Sequence, residues 1–302
     1  MRSPLRSPLR RRALRPLAVV LMGVAGMVLL AACASESVVV GIGDTDLDRA
    51  DVLEWIEARG GIAAVGEVTV DAKVAAEVIS ELVTYEALID LLAEHGTVAS
   101  DADVAKASDK LVAAGFDASS SMMGRLSRWQ AALDAIDAGV AGVRSAYEAN
   151  AGLVSHELCT SHILVSTRGD ADEVIDLLAA GSDFAELAGQ VSQDPGSGSQ
   201  GGSLGCVPTG AFVPTFERAT LGAIAVGMTL VGPVPSQFGQ HVIRIDEVRP
   251  TEPVTFEDLG SRTVNVLLSI ASMTREVSLD GRFGTWDPVV GRVSQPAAPA
   301  AG

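Results

Sequence analysis

Thr160-Ser161-His162-Ile163-Leu164-Val165 and Phe238-Gly239-Gln240-His241-Val242-Ile243 open and close one stretch of this chain. Between them runs Ser192-Gln193-Asp194-Pro195-Gly196-Ser197-Gly198-Ser199-Gln200-Gly201-Gly202-Ser203-Leu204-Gly205. Apolar residues follow each histidine at alternate positions, Leu164 in one case and Ile243 with Ile245 in the other, which is the period of a strand. Both imidazoles can then face the same side of a sheet. Asp-Pro-Gly commonly starts a turn, and a carboxylate such as Asp194 near two imidazoles can also hold their tautomers.

Outward from this stretch, the pattern after Asn150-Ala151-Gly152 is strand, helix, helix, loop, helix and strand through to about Val248. Glu173 to Ala180 and Asp183 to Val191 read as short helices separated by Gly181, with Ser182 as a cap. Arg249-Pro250-Thr251-Glu252-Pro253 breaks the pattern. Phe256, Leu259, Val264, Leu267, Ile270 and Met273 then return to helical spacing, which predicts a C-terminal helix within 249–279 that can pack back on the N-terminal half. Residues 280–302 are expected to be a tail, partly disordered, because Gln295 to Gly302 is rich in alanine and proline.

Residues 34–154 are mostly helical by pattern. Val74, Val78, Leu82, Tyr85, Leu88, Ile89 and Leu92 recur at three and four residues, as one buried helix face requires. His95-Gly96 ends that helix. Ser100-Asp101-Ala102-Asp103 starts another, with Ser100 able to accept an orphan backbone N–H and Asp103 placed at the positive helix end. Further helices are expected at about 121–138 and 140–150, after a short strand at Val38 to Ile42.

The first sixteen residues carry six arginines and no acid, and Leu17 to Ala32 is uncharged. A basic start, an apolar run and small residues are the parts of an export signal. Leu30-Ala31-Ala32-Cys33 resembles a bacterial lipobox, so residues 1–33 are expected to be a lipoprotein signal with Cys33 as the lipidated residue. Spanning a bilayer takes about 20 apolar residues, more than this run supplies. The protein is thus expected on the extracytoplasmic face of the membrane, anchored through Cys33. Net charge is −16, and loss of the leader makes it −22, from 16 basic and 38 acidic residues. Such a surface repels nucleic acid and anionic lipid. With Cys33 set aside, Cys159 and Cys206 remain. An oxidising compartment favours their pairing, with two buried free thiols as the alternative.

The two histidine motifs, Asp194 and the glycine run, in this order, resemble a parvulin-type peptidyl-prolyl isomerase over roughly residues 160–247. The resemblance implies an α+β, FKBP-like domain at 155–248 with a four-stranded antiparallel sheet and surrounding helices. It implies His162, Asp194 and His241 as catalytic residues and a proline pocket from Leu204, Phe212, Phe216, Ser236 and Phe238. No metal or cofactor is implied, because rotation about an X-Pro bond makes and breaks no covalent bond. Ser203 departs from the family's Gly-Gly-Asp-Leu-Gly, Gln193 replaces a frequent aspartate, and Phe216 to Gly232 is a residue or two longer than usual. The loop after the first strand, Ser166-Thr167-Arg168-Gly169-Asp170-Ala171-Asp172, holds one arginine among acids, so recognition of phosphoserine before proline is not expected. The helical half is similar in pattern and placement to the N-terminal chaperone domain of the PrsA and SurA class of foldases.

There is no Walker loop, no nucleophile elbow and no metal-spaced histidine or cysteine cluster. The expected partners are unfolded exported polypeptides containing X-Pro bonds, with neither nucleic acid nor metal. Two functions fit: an isomerase and chaperone for exported chains, or a non-catalytic holdase that keeps the parvulin shape as a peptide-holding surface.

Overall fold

A computed structural model describes residues 38–60 and 70–294. The expected leader, Cys33 and the alanine- and proline-rich end lie outside these residues. Among the described residues no helix is long and apolar enough to cross a membrane.

The N-terminal part begins with a hairpin, β1 (Val38–Ile42) and β2 (Thr45–Asp48), followed by α1 (Arg49–Gly60). The central helix α2 (Ala72–Glu94) carries the expected apolar face, with Val78, Leu82 and Leu88 at most 2% exposed. It starts on the Asp71 carboxylate, which accepts the Lys73 and Val74 N–H groups, and stops at His95 and a left-handed Gly96. α3 (Asp101–Ala113) opens with a reciprocal box in which Ser100 and Asp103 each bond the other's backbone N–H. α4 (Met123–Asp137) and α5 (Ala141–Asn150) complete the bundle. Tyr85 stacks on Trp129, Trp55 lies tilted against the same ring, and the buried Glu86 is paired with Arg125 and the Trp129 indole N–H.

The second part is a four-stranded antiparallel sheet in the order β4, β3, β6, β5: β4 (Ser203–Pro208), β3 (His156–Val165), β6 (Gly239–Pro250) and β5 (Leu230–Ser236). This is the expected α+β arrangement. Two helices, α6 (Arg168–Ala179) and α7 (Phe184–Val191), cover one face over Ile163, Val165 and Val242. On the other face α8 (Pro214–Ala225) packs Phe216, Ala219 and Ala223 against Val231, Ile243 and Ile245. α6 begins at Arg168, earlier than the expected Glu173. Thr167 and Asp170 form a second capping box, so most of the expected loop 166–172 is the first turn of a helix.

The C-terminal segment breaks its expected helix in two. α9 (Phe256–Leu259) ends at Gly260, whose φ of 56° a side chain would resist, and α10 (Thr263–Thr274) resumes after a single 3₁₀ turn. α10 packs against both α2 and α8. β7 (Val277–Leu279) then pairs with β1. Where a partly disordered tail was expected, β8 (Thr285–Asp287) and β9 (Arg292–Ser294) form a hairpin that buries Phe283 and Val293 in the same core as α2. Residues 295–302 lie outside the described range.

Candidate active site

β3 and β6 are adjacent, with His162 opposite Ile243 and Leu164 opposite His241. The two histidines are therefore diagonal neighbours on the α8 face of the sheet. Both are buried, at 6% and 4% exposure, and their Nδ1 atoms are 2.9 Å apart. The backbone of His162 is held from the glycine run. Its N–H donates to Gly202 O at 2.8 Å, and a Cβ on Gly202 would sit 2.4 Å from His162 O. Only glycine allows that approach at a φ of 81°.

Asp194 lies in the turn after α7. Its Oδ2 is 2.9 Å from His162 Nε2 and accepts the Ser197 hydroxyl at 2.6 Å, while Oδ1 accepts the Gly196 N–H. These hydrogen bonds, Ser197 first and His162 second, hold the carboxyl at about 2, so it is ionised at neutral pH. At the other end of the row, His241 Nε2 is 2.7 Å from Ser236 Oγ, which accepts the Phe238 N–H. Burial, with the neighbouring His162 second, pushes His241 down to about 4.

One set of tautomers satisfies all of these contacts. The ionised Asp194 accepts from His162 Nε2–H. The bare His162 Nδ1 then accepts from His241 Nδ1–H, leaving His241 Nε2 to accept the Ser236 hydroxyl. In this set every member of the row has a partner.

In front of the row is a hollow of about 600 Å³ lined by His162, Asp194, Leu204, Phe212, Phe216, Phe238 and His241, among others. Phe216 stands edge-on to both imidazoles, 5.9 Å from His162 and 5.4 Å from His241, and its ring is 4.6 Å from Phe212. Of the eight residues singled out for catalysis and proline binding, seven line this hollow. Ser236 does not. It sits behind His241 and orients it, and Phe238 stands at the rim at 59% exposure.

Ser197 was not singled out, although it bonds both Asp194 and His162 and is 2% exposed. Its signal was its place three residues after Asp194, where a hydroxyl can return to the carboxylate. Leu164 and Val213 also line the hollow. Arg168 faces Asp172 at 3.7 Å. Cys159 and Cys206 lie opposite one another on β3 and β4 and are joined as a disulfide.

Residues 153–249 match the model of the PPIC-type PPIase domain family. Foldase protein PrsA of Halalkalibacterium halodurans is 37% identical over 121 residues, 40% of this chain and 34% of that protein. PrsA of Oceanobacillus iheyensis is 38% identical over 105 residues, 34% of each chain. The chain thus spans about a third of the length of these curated relatives. A crystal structure of PrsA from Bacillus cereus aligns with a TM-score of 0.34 at 23% identity, over 79% of this chain and 85% of that one. The segment 153–249 belongs to the PPIC-type, or parvulin, domain family.

Proposed function

We propose that this chain is an extracytoplasmic foldase, tethered to the membrane by lipid on Cys33, that catalyses rotation about X-Pro bonds in exported polypeptides. In this reading residues 1–33 are the signal, 34–154 hold clients, 155–248 carry the isomerase, and 249–279 tie the two together. The observation that carries it is the shared wall of one hollow. His162, His241 and Asp194 meet there behind an apolar surface of Leu204, Phe212 and Phe216.

Rotation must break amide resonance, a barrier of about 18 to 20 kcal/mol. The pyrrolidine ring packs against Phe212 and Phe216, removed from water. The preceding carbonyl lies toward the imidazoles and the ionised Asp194. A planar amide places negative charge on that oxygen, which the carboxylate disfavours, whereas the twisted amide has lost it. The buried row of hydrogen bonds holds this polar floor still while the substrate rotates, and no proton need leave it. Asp194 acts as a charge and not as a nucleophile. No metal or cofactor enters this chemistry.

Support for client holding comes from a second hollow of about 550 Å³ between α2, α3, α4 and α5, lined by Leu92, Val98, Ala131, Ala135 and Val140. Val98 is 75% exposed there. A non-catalytic holdase is the second reading, and the same groove favours it.

Refolding of a client whose slow phase is prolyl isomerisation separates the two. The proposal predicts that the chain shortens the slow phase and also suppresses aggregation. Suppressed aggregation with an unaltered slow phase would leave only the holdase.

A further inference from the structure

One wall of the isomerase hollow, Ala211 to Val213, belongs to an irregular loop between β4 and α8. A loop that presents a binding surface needs groups that hold it in place. Two such groups approach from opposite sides. Glu217, in the first turn of α8 and next to Phe216, is fully buried. Its Oε2 accepts the Gly210 N–H at 2.6 Å and the Phe212 N–H at 3.4 Å. Its Oε1 has no hydrogen-bond partner among the described residues. Burial pushes its carboxyl up to about 7, against the opposing pull of these N–H groups and the Arg262 charge. A buried carboxylic group satisfied on one oxygen is costly to fold around, so simple packing gives no reason for it here.

From the other side, Arg262, in the turn between α9 and α10, donates Nη1 to Thr209 O at 2.6 Å, and Asn265 Nδ2 reaches Phe212 O at 3.4 Å. Gly210 is pressed between the two. At a φ of 94° its backbone passes so close that a Cβ would lie 2.6 Å from Arg262 Cβ and 2.9 Å from Val266 Cγ2. Thr209 is 1% exposed, and its N–H donates to His156 O at 3.1 Å.

We infer that Glu217 and Arg262 are positioning residues for the proline hollow: together they set the Thr209–Val213 loop and hence the Phe212 ring against Phe216. The hollow of the parvulin segment is then shaped partly by a C-terminal segment outside residues 153–249. The catalytic consequence rests on the isomerase reading, whereas the loop geometry does not.

The test uses the full chain with Glu217→Ala, Glu217→Gln, Arg262→Ala and Arg262→Lys. It reads proline-tetrapeptide exchange kinetics and amide hydrogen exchange at Gly210 and Phe212. Glu217→Ala is expected to raise KM roughly tenfold with kcat held within about twofold, because what is lost is a pocket wall and not the polar floor. Protection at Gly210 and Phe212 falls with it. Glu217→Gln, whose side-chain oxygen can accept the same N–H groups, restores most of both. Arg262→Ala raises KM by roughly threefold, and Arg262→Lys recovers part of it.

Unchanged KM and protection in Glu217→Ala and Arg262→Ala overturn the inference. So does a fall in kcat at constant KM, which reports only less folded protein. If the unmodified chain catalyses no exchange, the isomerase reading falls. Protection at Gly210 and Phe212 in the four variants then still decides whether these residues hold the loop.

Discussion

The helical region and the parvulin segment bury different kinds of residue. Thirteen polar or charged residues are buried in the described chain, and nine of them lie within 153–249: Thr160, Ser161, His162, Ser197, Thr209, Glu217, Arg218, Thr220 and His241. The helical region up to residue 152 buries Ser80, Glu86 and Ser127 in a core otherwise made of aliphatic and aromatic side chains. A buried polar group costs stability unless it is paired. The helical region therefore has a mainly apolar core, while the parvulin segment holds polar groups away from water on its strands, its loops and α8.

The largest effect that would sharpen this contrast concerns the Cys159–Cys206 bridge, which spans a sequence separation of 47. On the chain-entropy model such a bridge stabilises by about 4 kcal/mol. The Cys159→Ala/Cys206→Ala double variant is expected to lose close to that in urea unfolding, with protection falling first in β3 and β4 and last in α2. Equal loss of protection in both regions would erase the distinction.

Next comes pH. Glu217, raised to about 7 from 4.5, contributes stability that is fully present below pH 4.5 and lost as pH rises through about 7. His241, lowered to about 4 from 6.5, contributes stability that is present above pH 6.5 and lost as pH falls through about 4. Each amounts to on the order of 3 kcal/mol, and between pH 4.5 and 6.5 the two slopes oppose and nearly cancel. In Glu217→Gln the His241 contribution stands alone, so stability should rise with pH across this window, read as urea midpoints. A slope identical to that of the unmodified chain would refute the assignment.

A smaller effect belongs to the helical region. Ser100→Ala removes a helix cap and should cost about 1 kcal/mol, seen as a lower Tm, with no change in the exchange rate of a proline peptide. A change in that rate would show that the helical region also governs the site.

Much of the site was legible because short motifs in a given order place their residues together. His162, Asp194 and His241 stand on or beside strands whose alternation is local. Ser197 was hidden among near-identical serines in a Gly-Ser run, where only the turn geometry singles one out. The long face of α2 and the Ser100 box could be read from spacing alone, since both are contacts between near neighbours. The Thr167–Asp170 box was present in the sequence, but starting the helix at Glu173 left these residues to the loop after the first strand. β7, β8 and β9 are three residues each, and β7 meets β1 across more than 230 positions. Strands that short carry almost no local period, and their partners exist only once the core has formed.

The most direct measurement of the central claim is exchange NMR on a proline tetrapeptide with the full chain and with His162→Ala and Asp194→Ala. Catalysed cis-trans exchange is predicted for the unmodified chain, reduced roughly a hundredfold in each variant while the far-UV spectrum and the unfolding midpoint stay close to those of the parent. Exchange at the uncatalysed rate in the unmodified chain, or full catalysis in both folded variants, would contradict the account.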